Sequence, residues 1–280
     1  MTSPEWLNQA IDLYTNQHMT FVEIGQQLHV GRKTVSKYLN QAGFQSNPKY
    51  IRHINPEKLR KYDYSIADSV FDKIDTEEKA YWLGFLYADG YIAELNNSIE
   101  LSLEESDLNH LIAYRNFLGL ENKPFNYKRR KLNNKEFYSY RFSFNSIKTK
   151  QALIRLGCGP QKTFTLTFPD KDQVPDSLIH HFIRGYIDGD GCIYISQNKI
   201  SVEVLGTETF LTGYKQWVNL GNSKIYNFNH SDIKRVVNSN RQALNILERI
   251  YDQATIYLER KHRKYLDYLA VRQKDCNKSV

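Results

Sequence analysis

The chain has 280 residues, room for one large domain or two smaller ones. Apolar residues make up 41% and charged residues 25%, which is the mix of a globular protein and excludes wholesale disorder. Lys and Arg outnumber Asp and Glu by 38 to 31, a formal charge of +7 that disfavours an acidic partner-mimic and suits a binder of polyanions.

No stretch approaches the roughly 18 consecutive apolar residues that span a bilayer. The most apolar run, Leu178 to Ile187, is broken by His180, His181 and Arg184. The opening MTSPEWLNQAIDLY has neither the basic nor the apolar region of a secretory signal, and Glu5, Asp12 and the lack of any Arg before Arg32 are unlike a transit peptide. Three distant cysteines, Cys158, Cys192 and Cys276, form neither a disulfide framework nor a CxxC zinc site, so a reduced, intracellular protein is expected. Charge is uneven: residues 63–121 hold 13 acids against 3 bases, and residues 123–148 hold 8 bases against Glu136 alone. Such blocks read as separate surfaces.

Residues 1–44 form a self-contained helical pattern. Leu7, Ile11 and Tyr14 recur at helical spacing between Pro4 and Asn16. Thr20 and Glu23 make a T-x-x-E capping box that opens a second helix with Phe21, Ile24 and Leu28 inward. After the turn His29-Val30-Gly31, a third helix buries Val35, Tyr38 and Leu39 and stops at Gly43. Two helices about a short turn are a helix-turn-helix arrangement, whose later helix points its first residues into the major groove. Arg32, Lys33, Thr34, Ser36 and Lys37 lie off the apolar stripe and can donate to phosphates or base edges. A plain three-helix bundle with a basic surface is the alternative. The segment TFVEIGQQLHVGRKTVSKYL resembles helix-turn-helix domains of bacterial and phage regulators.

Residues 45–70 are expected to be a basic linker. Pro48 and Pro56 prevent a continuous helix, and Lys49 and Arg52 could track a phosphate backbone or enter a minor groove. A simple tether is the equal alternative.

An internal repeat follows. AYWLGFLYADGYI (80–92) and HFIRGYIDGDGCI (181–193) align at a constant offset of 101 residues, pairing Gly84 with Gly185, Ala88 with Gly189 and Asp89 with Asp190. Small residues four apart, Gly84 and Ala88 or Gly185 and Gly189, let two helix backbones approach closely. Gly90 and Gly191 are expected to supply left-handed helix stops. Asp89 and Asp190 would then sit side by side at the negative ends of two helices, where either their pKa values rise or a divalent cation neutralises them. Hard oxygen ligands favour Mg²⁺, and paired carboxylates holding metal suit phosphodiester displacement.

WLGFLYADG (82–90) and IRGYIDGDG (183–191) resemble the two copies of the LAGLIDADG motif of homing endonucleases, a resemblance covering about residues 71–270. It implies an α+β fold: a pseudo-twofold tandem αββαββα repeat forming a saddle, with halves 71–168 and 175–270, preceded by the small all-α domain. It also implies a monomer that cleaves both strands of double-stranded DNA with Mg²⁺ or Mn²⁺ and leaves short 3′ overhangs. The motif acids Asp89 and Asp190, with the carbonyls of Ala88 and Gly189, are the implied metal ligands. Lys162 and Lys261, 73 and 71 residues after the motif acids, match the active-site lysines implied for two-copy members. Such a cation would stabilise developing charge or assist water deprotonation. Lys264 competes for the second position. Asp188, where the first copy has Tyr87, is read as a structural or helix-end residue.

Within each half, alternation marks sheets with one apolar face and one polar, basic face. In FYSYRFSF (137–144), Tyr138, Tyr140, Phe142 and Phe144 would face the helices, with Ser139 and Arg141 opposite. Lys128, Arg129, Arg130, Ser139 and Arg141 are DNA-contact candidates in the first half, and Asn227, Asn229, Lys234 and Arg235 in the second.

The leading expectation is a metal-dependent, site-specific double-strand DNA endonuclease whose N-terminal head extends the recognised site. The alternatives are a non-cleaving DNA-binding regulator on the same scaffold, an RNA-splicing maturase, and a structural αβ protein. There is no P-loop, GxGxxG, HExxH or Ser elbow, and His180-His181 lack the partners of a metal site. The initiating Met and the absence of splicing-type termini argue against an intein. The composition, rich in Asn, Lys and Tyr, points to an AT-rich genome such as that of a phage, and a cytoplasmic protein of bacterial or phage origin is expected.

Overall fold

The computed structural model describes residues 4–17, 19–44, 62–132, 135–219, 224–228 and 231–278. The chain divides into two compact units, residues 1–61 and 62–280.

The first unit contains α1 (Leu7–Thr15), α2 (Phe21–Gln27) and α3 (Arg32–Gln41). The capping box forms: the Thr20 hydroxyl accepts from the Glu23 amide at 3.3 Å, and the Glu23 carboxylate accepts from the Thr20 amide at 2.7 Å. Ala10, Leu13, Tyr14, Phe21, Ile24, Val35 and Leu39 make the core, with Leu7, Ile11 and Leu28 packed at its edge. The innermost stripe of α1 is thus shifted from the Leu7–Ile11 line expected from sequence. In the turn, the positive φ falls on His29, at 55°, while Gly31 has φ −61° and caps the start of α3.

The second unit opens with α4 (Ser65–Ser69), where a linker was expected. Tyr64, Ala67 and Val70 are buried in the main core, and the Thr149 hydroxyl donates to the Ala67 carbonyl at 2.7 Å, so the fold begins near Tyr62 and not at 71. The remaining elements come in two equivalent sets. The first is α5 (Glu77–Asp89), β1 (Tyr91–Ile92), β2 (Ser98–Glu104), α6 (Leu108–Phe117), β3 (Asn126–Leu132), β4 (Lys135–Asn145) and α7 (Ile147–Arg155). The second is α8 (Ile179–Asp190), β5 (Cys192–Ser196), β6 (Lys199–Gly206), α9 (Glu208–Val218), β7 (Tyr226–Phe228), β8 (Ser231–Ser239) and α10 (Arg241–Tyr251), followed by α11 (Glu259–Lys278), which runs past the expected end at 270. Both sheets are antiparallel with the same strand order, β1-β2-β4-β3 and β5-β6-β8-β7, so each set reads αββαββα.

Helix α5 is apolar on every side, with Ala80 through Tyr87 all buried, which requires a place inside the core. Its partner is α8. A Cβ added to Gly84 would stand 1.9 Å from the Phe182 carbonyl oxygen, and one added to Gly185 would stand 2.0 Å from that of Tyr81. Tyr81 and Phe182 are themselves 101 residues apart, so the two contacts are equivalent, one made by each copy of the repeat. The small residues therefore bring backbone against backbone as expected.

Gly90 and Gly191 differ from the expectation. Their φ values, −69° and −76°, are extended, not left-handed. Glycine is needed there for space: a Cβ would lie 2.6 Å from the Leu86 or Ile187 carbonyl oxygen, one turn back in its own helix. In β2, Ile99, Leu101 and Leu103 face the core, and across from them in β4 Phe142 and Phe144 are buried. Tyr140 is half-buried against that core, but Tyr138 does not join it, ring-stacking on Tyr127 and donating to Glu136 at 2.5 Å. No helix of the described residues is long and apolar enough to cross a membrane.

Candidate active site and nucleic-acid interface

Asp89 and Asp190 are the last residues of α5 and α8, brought together because the glycines let those helices touch. Both keep solvent exposure, yet protein crowds their carboxyl groups. Dehydration, then repulsion from Asp190, pushes Asp89 up to about 6. Dehydration also raises Asp190, against the pull of Lys162 and Lys261. The adverse electrostatics anticipated from sequence are present.

The two lysines reach equivalent carbonyls. Lys162 Nζ donates to Gly90 at 2.7 Å and Ala88 at 3.3 Å. Lys261 Nζ donates to Gly191 at 2.6 Å and Gly189 at 2.8 Å, and also to Ile187 at 2.8 Å and Asp188 at 2.7 Å. Lys264 instead donates to Ile193 at 3.2 Å, so Lys261 is the counterpart of Lys162. An ammonium at a helix C-terminus satisfies carbonyls that have no partner within the helix, here all but that of Ile187, which also accepts from the Gly191 amide at 3.0 Å, and it opposes the negative dipole end. Lys261 is only 4% exposed, and burial pulls its pKa down to about 8 against the attraction of Asp188. The carbonyls of Ala88 and Gly189, implied as metal ligands, thus each already accept from a lysine.

Asp188 is fully buried and acts at the helix end, as read from sequence. Its carboxylate accepts from Tyr81 Oη at 2.9 Å, Tyr251 Oη at 2.7 Å and the Leu258 amide at 2.7 Å. Leu258 precedes α11, so Asp188 fixes the start of the helix that carries Lys261. Burial raises its pKa in spite of these donors. The first copy uses a neutral group at this place: Tyr87 Oη donates to the Leu156 carbonyl.

Sequence reading missed Glu77 and Arg184. Arg184, also fully buried, donates to Glu77 at 2.5 Å and to the carbonyls of Ile250 at 2.6 Å and Ile256 at 2.8 Å, clamping the loop ahead of α11. The only signal was a charged residue inside the apolar run Leu178–Ile187. His181 packs on this arginine, Nδ1 being 2.9 Å from Nη1, which gives it a structural partner. Beside the acids lies a cleft of about 260 Å³ whose lining includes Ala88, Lys162, Thr163, Tyr186 and Asp190. Among the described residues no group of three or more His, Cys, Asp or Glu side chains is placed to hold a metal. Among the described residues, Asp89 and Asp190 are the carboxylates that could hold a cation here.

The interface candidates divide by face. On α3, Arg32, Lys33, Thr34 and Lys37 are exposed and Ser36 half-buried. In the first sheet Lys128 pairs opposite Ser139, on the outer face shared with Arg141. Arg129 lies opposite Tyr138 on the other face, where it is bonded to Glu136. Arg130 lies in β3, its side chain outside the described residues, as are Lys49, Arg52 and Asn229. In the second sheet Arg235 shares the outer face with Tyr226. Lys234 alternates to the opposite face with Asn227, to whose Oδ1 it donates at 2.6 Å. Lys234 and Arg235, offered together from sequence, are therefore separated by the pleat.

No family model and no curated protein matches the chain. Among solved structures, the homing endonuclease I-WcaI bound to its DNA recognition sequence matches with a TM-score of 0.51 at 13% identity, over 80% of this chain and 96% of that one. The I-LtrWI LAGLIDADG homing endonuclease bound to target DNA gives 0.45 at 11% identity, over 72% of this chain and 92% of its own. The LAGLIDADG meganuclease I-AabMI bound to uncleaved DNA gives 0.43 at 12%, over 71% and 91%. The chain has the fold of the LAGLIDADG homing endonucleases.

Proposed function

We propose that this protein is a site-specific, double-strand DNA endonuclease of the homing type, acting as a monomer with its two halves addressing the two strands. The observation that carries the reading is the pair Asp89 and Asp190 at the touching ends of α5 and α8, with Lys162 and Lys261 on equivalent carbonyls beside them. Asp89 and Asp190 offer hard oxygen donors in a crowded acidic pair, a set that fits Mg²⁺ or Mn²⁺. Such an ion, when bound, supplies water activation and stabilises the leaving oxygen of a phosphodiester. Lys162 and Lys261 bring positive charge to the place where phosphate charge builds up in an in-line displacement. Lys128 and Ser139 on the outer face of the first sheet position the DNA backbone, Arg141 and Arg235 face the same DNA, and α3 of the first unit lengthens the recognised site.

The test is cleavage of duplex DNA flanking the native gene, with Mg²⁺ or with EDTA. The reading predicts double-strand breaks with short 3′ overhangs at one site, abolished by EDTA. Tight binding without breakage in Mg²⁺ or Mn²⁺ would instead identify a regulator on this scaffold.

A further inference from the structure

The outer faces of the two sheets carry the same ion pair twice. Arg141 Nη1 lies 3.2 Å from Glu100 Oε2, and Arg235 Nη1 lies 3.8 Å from Glu203 Oε2. The registers match. Arg141 stands opposite Ser102, two residues beyond Glu100, and Arg235 stands opposite Leu205, two residues beyond Glu203. On its other side Glu100 pairs with Tyr91 and Glu203 with Cys192, each two residues after a motif aspartate. The pairs thus flank the candidate active site at equivalent places, one per half. Glu100 is held further by Ser98 Oγ, which donates to its other oxygen at 2.9 Å.

These pairs contribute little as glue. The arginine side chains are 52% and 42% exposed, and an exposed ion pair adds at most a small amount to stability. Their larger effect is on charge, because each glutamate cancels the charge of the arginine it holds. An arginine so held meets a phosphate only beside a carboxylate, which repels it. It meets a guanine edge without that penalty, and the carboxylate can then accept from the amino group of the paired cytosine. Repulsion of the wrong contact and acceptance of the right one is how discrimination is built.

Resting on the DNA-binding reading above, we propose that Glu100 and Glu203 are specificity-determining residues: with Arg141 and Arg235 they read one G·C pair on each side of the cleavage centre and suppress sequence-independent binding. The test uses full-length wild type, Glu100→Gln/Glu203→Gln, and a variant that also carries Arg141→Gln and Arg235→Gln. Each is titrated at several salt concentrations with a random-sequence 40-base-pair duplex, then used to select from a randomised duplex library; thermal melts confirm folding. The glutamine variant is expected to bind random duplex about tenfold more tightly at low salt. Its salt slope should steepen by about 2, one phosphate for each arginine released. Its selected sequences should lose a G·C preference at two symmetric positions that wild type shows. The fourfold variant should lose the gain in random binding. An unchanged slope, or selected and random DNA gaining affinity equally, overturns the proposal while leaving the DNA-binding reading intact. Wild type that binds no duplex overturns both.

Discussion

Gly189 faces Ala88 so closely that a Cβ on the glycine would lie 2.3 Å from the Cβ of the alanine. The pseudo-twofold repeat therefore tolerates one methyl at this crossing, not two. Gly189→Ala is predicted to destabilise the fold by about 1–3 kcal/mol, the usual cost of overpacking. Gly189→Ala combined with Ala88→Gly should recover most of that loss, because the swap restores a single methyl. Urea unfolding of the single and double variants measures this; equal loss in both would mean that the contact is not limiting. Gly84→Ala and Gly185→Ala have no such rescue, since the obstruction is backbone carbonyl, and both should prevent folding.

Lys261→Met removes a buried ammonium that serves four carbonyls, whereas Lys162→Met removes a more exposed one that serves two. The first is predicted to cost about 3 kcal/mol of stability and the second clearly less, as unpartnered buried carbonyls are the expensive outcome. Paired denaturation curves test the ranking, and similar losses would contradict it.

The close pairing of α5 and α8, with Asp89 and Asp190 at its end, was readable because its determinants are local. A glycine, a small residue four positions on and an Asp-Gly stop fix a close helix pair within nine residues, and the duplication shows that there are two. Thr20 and Glu23 were equally local, and both capping bonds form. What sequence could not supply was register between distant segments. Glu100 meets Arg141 across 41 positions, and Asp188 meets Leu258 across 70. The pleat alone separates Lys234 from Arg235, but which of them faces outward depended on which residue of β8 began the alternation. The start of the second unit was misplaced because residues 62–70 bury apolar side chains through contacts made far along the chain.

Asp188→Ala would leave Tyr81, Tyr251 and the Leu258 amide without their shared acceptor in a sealed interior. A loss of about 3–5 kcal/mol is expected for breaking a buried charged network. Asp188→Asn retains an acceptor oxygen and should cost less. Thermal melts of the two variants check the order; Asn as damaging as Ala would show that the charge, and not the acceptor, matters.

The raised pKa values of Asp89 and Asp190 set a sign for pH dependence in EDTA. A carboxyl whose folded pKa lies above its unfolded value favours the folded state when protonated. That contribution is complete below about 4 and is lost as pH rises through about 6 for Asp89. Wild type should therefore lose melting temperature between pH 4.5 and 7.5 relative to Asp89→Asn/Asp190→Asn, which cannot ionise there. Added Mg²⁺ should raise the wild-type melting temperature more at pH 7.5 than at pH 5. A pH-independent difference between the two proteins would contradict the crowded-carboxylate account.

The most direct measurement is strand-resolved cleavage of target duplex in Mg²⁺ by wild type, Asp89→Asn and Asp190→Asn, with DNA affinity determined on the same preparations. Two acids at one helix junction predict that each variant binds DNA about as well as wild type and that neither makes the double-strand break. A variant that binds and cuts both strands at the wild-type rate would show that the phosphodiester chemistry does not reside at Asp89 and Asp190.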